Sequence, residues 1–102
     1  MIMEKEETME RVILCPDFDI VASRVGEIRD AVLNVAGRSR RVVLDLSRTS
    51  IIDSMGIGVI VACLKTLKQQ GGDLVIENAK QDIIKLFKLL KLDFIIGPVG
   101  KG

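Results

Sequence analysis

With 102 residues the chain can build one hydrophobic core but not a core plus a separate catalytic lobe. Its 48% hydrophobic and 28% charged content excludes disorder, and 15 basic against 14 acidic residues give a formal charge of +1, so nucleic acid is not an expected direct partner. Histidine, the commonest general base and metal ligand, is absent, and the expectation is a non-enzymatic module with no cofactor and no metal site.

The first ten residues carry five glutamate or lysine charges and no periodicity, which predicts a flexible arm over residues 1–10. Their acidic start has no basic region before an apolar run, so it does not read as a secretory signal. Residues 11–15 follow as a first strand, ended by Pro16 and Asp17. From 23 to 35, Val25, Ile28, Val32 and Val35 recur at helical steps, and Gly37 is a suitable stop. Val42, Val43, Leu44 and Leu46 make a nearly continuous apolar strand over 42–46, interrupted by Asp45.

A polar turn then leads to a helix over 55–70, closed by Gly71 and Gly72, with Ile51 and Ile52 expected to tuck beneath it. Residues 73–77 read as another strand, 80–91 as an amphipathic helix and 94–96 as a last short strand, leaving 97–102 as a tail. Strands alternating with helices predict one α/β domain over residues 11–96. Its sheet is mixed and largely parallel, with about four to five strands, the first of them open to an antiparallel setting, packed by amphipathic helices. Cys15 and Cys63 lack metal-ligand spacing and read as buried thiols. The longest apolar run, residues 57–64, is too short to span a bilayer, so the expected setting is cytoplasmic, without stable membrane insertion.

Ser54 is the sharpest candidate for function, because a strand-to-helix connection puts it at the carboxyl side of a parallel sheet. Gly56 and Gly58 sit in the first turn of the following helix, each at a cost of roughly 1 kcal/mol against alanine, as though another surface approaches the backbone closely. The residues alone leave two readings open. In one, Asp53 or Ser54 caps the helix and the glycines permit tight packing. In the other, the hydroxyl carries switching chemistry.

Asp45-Leu46, Ile51-Ile52, Asp53-Ser54-Met55-Gly56-Ile57-Gly58-Val59, Gly71-Gly72 and Asn78 together resemble the STAS domains of bacterial anti-sigma-factor antagonists over nearly the whole chain. The resemblance implies a partner switch with Ser54 as phosphoacceptor. Unmodified, such a protein binds a serine kinase that is also the anti-sigma factor and releases its client; phosphorylated, it lets go, and a serine phosphatase resets it. Asp53, Met55, Gly56, Ile57 and Gly58 would shape the kinase-facing surface, and Asp19 is the counterpart of an acidic residue in the family's first loop. Three positions depart from the family pattern: Pro16 for a loop glycine, Met55 for a second hydroxyl residue, and Lys91-Leu92 for Gly-Leu.

Other readings stay beside this one. The helix entrance could hold a nucleotide or other anion, although no dinucleotide or phosphate-loop fingerprint is present. The domain could be an accessory subunit of a membrane transport system. Asp45 at a strand end suits a receiver aspartate less well than one satisfying backbone amides. Lys80, Lys85, Lys88 and Lys91 make a basic helix, either a solvated face or a surface for anionic lipid or an acidic partner.

Overall fold

The computed structural model describes residues 1–97. The elements in order are β1 (Ile2–Glu7), β2 (Arg11–Pro16), a 3-10 turn (Ala22–Arg24), α1 (Val25–Val35), β3 (Arg41–Asp45), α2 (Ser54–Gln69), β4 (Asp73–Glu77), α3 (Gln81–Leu89) and a second 3-10 turn (Asp93–Ile95). One four-stranded sheet has the order β1-β2-β3-β4. β1 is antiparallel to β2, whereas β2, β3 and β4 are parallel.

The mixed, largely parallel α/β domain expected from the sequence is therefore present, but the strand over 11–15, which the sequence leaves open to an antiparallel setting, runs parallel to β3, and the antiparallel strand is Ile2–Glu7. Two further corrections lie at the ends. Residues 1–10 do not form an arm without structure, because Ile2–Glu7 pairs with β2 as an edge strand. Hydrophobic periodicity missed it since only Ile2 and Glu6 are even half-buried, and pairing comes from the backbone. A register shift between Glu4 and Glu6 and the charged side chains protect this edge from further pairing. The strand expected at 94–96 is the 3-10 turn, from which only Ile96 makes a single bridge to Ile76. Of the tail expected at 97–102, residues 98–102 lie outside the described residues.

Strand alternation explains the core. Val12, Val42 and Leu74 sit side by side in register, as do Leu14, Leu44 and Ile76, and both rungs face the helices. Against them pack Ile28, Val32 and Val35 of α1, Ile60, Cys63, Leu64 and Leu67 of α2, and Ile83 and Phe87 of α3. Cys15 and Cys63 are both buried free thiols, as read from the sequence, and burial pushes the Cys63 thiol up.

α2 ends where expected, in a motif in which the Gly72 amide donates to Leu67 and the Gly71 amide to Lys68, with Gly71 in the left-handed conformation at φ 83°.

Candidate functional site at the entrance to α2

Two loops meet at the carboxyl end of the parallel strands, one after β2 and one after β3. Ile20 and Ile52 form a parallel bridge between them. The Ile20 amide donates to the Ile51 carbonyl at 3.0 Å and the Asp53 amide to the Ile20 carbonyl at 3.3 Å. The buried Thr49 hydroxyl adds a bond to the Phe18 carbonyl at 3.0 Å. The β3–α2 loop is thus held by backbone contacts on its inner side, and its outer side is free to display residues.

Asp53 is the helix cap. Its extended backbone turns the chain into α2, and its carboxylate accepts from the Gly56 amide at 2.9 Å and from the Ala22 amide at 3.0 Å. These amides, Gly56 foremost, hold its carboxyl below the ordinary aspartate range. Because Asp53 takes the cap, Ser54 becomes the first helical residue and stands exposed.

The two glycines play different parts. A Cβ on Gly56 would come within 2.1 Å of the Ile20 carbonyl oxygen and 2.9 Å of Ile52 Cγ2. Close approach is therefore required here, but the approaching surface is the protein's own first loop, and Gly56 is buried rather than presented outward. A Cβ on Gly58 would meet nothing within 4 Å, which leaves an open, side-chain-free spot one turn from Ser54.

Apolar side chains flank the hydroxyl. Met55 is 56% exposed, and Ile57 is half-buried against the core. Ile51 corrects the sequence expectation: Ile52 alone tucks under α2, and Ile51 is 57% exposed beside the motif. Period-based reading cannot split such a pair, because the bridge to Ile20 decides which of the two points inward.

Asp19 belongs to the same assembly despite Pro16. Its carboxylate accepts from the Ser50 and Ile51 amides, both at 3.0 Å, and so shapes the loop that carries Ser54. Lys80 is a participant that sequence reading misses. Expected on a solvated basic face, its ammonium instead donates to the Ser47 and Thr49 carbonyls at 3.2 and 3.1 Å and to the Ser50 hydroxyl at 3.4 Å. Thirty to 33 residues of sequence separate these partners, so only the fold brings them together.

Asp45 lies on the other face of the sheet from the core and is 3% exposed. Burial pushes its pKa up, but bonds from Lys5 at 2.8 Å, from the Ser47 amide at 2.9 Å and from Asn78 at 3.2 Å outweigh it and hold the carboxyl low. Its role is to close the ends of β1, β3 and β4 together. Among the described residues no group of three or more Cys, Asp and Glu side chains is arranged to hold a metal ion. No helix among them is long and apolar enough to cross a membrane.

Comparison with known proteins agrees with this fold. The STAS domain model matches residues 2–101. The anti-sigma-B factor antagonist of Bacillus subtilis is 30% identical over 100 residues, covering 98% of this chain and 90% of that protein. A solved anti-sigma factor antagonist of Thermotoga maritima, itself described as putative, superposes with a TM-score of 0.80 at 25% identity, over 92% of this chain and 82% of that one. The Bacillus cell fate determinant SpoIIAA, solved in its phosphorylated form, shares the fold at a TM-score of 0.75 and 19% identity, over 98% and 91% of the two chains.

Proposed function

The chain belongs to the STAS domain family, and from that premise we propose that it is an anti-sigma-factor antagonist switched by phosphorylation of Ser54. Unphosphorylated, it binds a serine kinase that doubles as an anti-sigma factor and displaces that kinase's client. Phosphorylated, it dissociates, and a serine phosphatase restores it. Its place of action is the cytoplasm, and it performs no catalysis of its own.

One observation carries this reading: Asp53, not Ser54, caps α2. The serine hydroxyl is thereby left exposed to a kinase, at a helix N-terminus whose amides and dipole accommodate a phosphate. Phosphorylation adds roughly −1.5 to −2 charges beside the Asp53 carboxylate. A partner packed over Ile51, Met55 and Gly58 would then have to desolvate two adjacent anions. The few kcal/mol needed to turn mostly bound into mostly free is within reach of such a misplaced interfacial charge. Asp53, Met55, Ile57 and Gly58 form the partner-facing surface with Ile51, whereas Gly56 and Asp19 contribute by shaping the two loops.

The test is direct. Ser54→Ala retains binding to the cognate kinase and cannot be modified by it, while Ser54→Asp loses binding. Equal binding by both variants would sink the switch.

A further inference from the structure

A second exposed surface lies at the far end of α3, about 13 Å along that helix from Lys80. Ile83, Ile84 and Phe87 bury one side of α3, and Leu89 falls on the opposite side, 78% exposed. Leu90 at the helix end is 48% exposed, and Phe94 in the following turn is 68% exposed. Side chains bared to this extent stand out from the surface rather than line a cleft.

Lys85, Lys88 and Lys91 belong to the same segment, all are exposed, and none belongs to the ion pairs found among the described residues. The acidic residues of this segment are Asp82, at the opposite end of α3, and Asp93, beside Phe94.

Lys91 adds an independent observation. α3 ends as α2 does: the Leu92 amide donates to Phe87 and the Lys91 amide to Lys88, which sets Lys91 in the left-handed position at φ 60°. In α2 the equivalent residue is Gly71. Glycine occupies this conformation freely and lysine does so at a cost, so the same fold device is built once for stability and once with a cation. That cation stands in the chain between the bared leucines and the phenylalanine.

We propose that the end of α3 and the turn after it form a reversible docking surface for an anionic lipid bilayer. Leu89, Leu90 and Phe94 enter the interfacial region, and Lys85, Lys88 and Lys91 meet the lipid phosphates. A bilayer suits exposed apolar side chains interspersed with unpaired ammonium groups because it deforms around them, whereas a protein partner would have to offer a matching pocket. The surface is separate from the Ser54 site, so the domain can lie on a membrane with its switch exposed.

The experiment is sedimentation of the full chain with vesicles of phosphatidylcholine, with and without about 30% phosphatidylglycerol. The expected result is at least about tenfold stronger binding to the anionic vesicles, lost at about 0.5 M salt. Replacing Lys85, Lys88 and Lys91 by glutamine abolishes that preference, and Phe94→Ser weakens binding without lowering the melting temperature. Lys91→Gly gives the discriminating result: vesicle binding falls several-fold while the melting temperature rises. Absence of binding to anionic vesicles, equal binding to neutral ones, or unchanged binding by Lys91→Gly overturns the proposal. An acidic amphipathic peptide that binds this surface where vesicles do not would assign it to a protein and equally overturn it.

Discussion

Asp19 and Asp53 hold each other's loops. Asp19, after β2, accepts the amides of Ser50 and Ile51 from the loop after β3, and Asp53, at the end of that second loop, accepts the amide of Ala22 from the first. The exchange fixes the position of Ser54 without using its hydroxyl. Asp53→Ala is therefore expected to lower the melting temperature and to increase amide exchange at Gly56 and Ala22, while Ser54→Ala leaves both unchanged. Circular dichroism melts and hydrogen exchange of the two variants check this.

Gly56 and Gly58 separate packing from presentation. Gly56→Ala forces a methyl into the Ile20 carbonyl and is expected to destabilise by about 2–4 kcal/mol in urea titrations. Gly58→Ala meets open space and should stabilise by roughly 0.5–1 kcal/mol through helix propensity. It would nonetheless weaken kinase binding if that surface is the docking face.

Ile51 and Ile52 make a second contrast. Ile52→Ala removes a buried side chain and should cost about 2–4 kcal/mol of stability. Ile51→Ser changes stability by less than about 0.5 kcal/mol, because more than half of the residue is already exposed. Its expected effect is on the kinase dissociation rate, raised about tenfold and measurable by surface plasmon resonance.

Asp45 contributes to stability against acid. Its folded pKa lies below the unfolded value, so its contribution is present above about pH 4 and is lost as pH falls through the folded pKa. Lys5→Met removes one of the bonds that hold the pKa down, letting burial push it up. The loss of stability on acidification should then begin at a higher pH than in the parent. Asp45→Ala, which strands the Ser47 amide and Asn78 as well, is expected to cost about 1–3 kcal/mol at neutral pH. Urea titrations between pH 3 and 7 measure both.

Phosphorylated protein should remain folded, with its melting temperature lower by no more than a few degrees. A phosphate on Ser54 would stand at the N-terminus of α2, where the helix dipole favours it, although Asp53 stands alongside. A scan of modified and unmodified protein side by side would expose any larger effect, and unfolding on phosphorylation would mean that release works by melting rather than by charge at the interface.

Much of this protein is determined locally. The spacing of Val25, Ile28, Val32 and Val35, the apolar run into Asp45, and the Gly71-Gly72 stop each follow from short-range periodicity and turn chemistry, and they set the parallel α/β core. The place of Ser54 at the entrance to α2 is likewise legible, because a hydroxyl after a strand and before a glycine-bearing helix can occupy few positions.

What the tertiary structure decided are the choices between chemically similar neighbours. Whether Asp53 or Ser54 caps α2 depends on the Ala22 amide, brought in from another loop. Which of Ile51 and Ile52 is buried depends on the bridge to Ile20, and why Gly56 must be glycine while Gly58 need not be depends on a carbonyl 36 residues earlier in the chain. β1 became a strand through backbone pairing that its charged side chains do not announce. The sequence written as a line holds the local free energies, and contacts across loops supply the remainder, since an amide or carbonyl donated from a distant segment leaves no trace in the residues beside it.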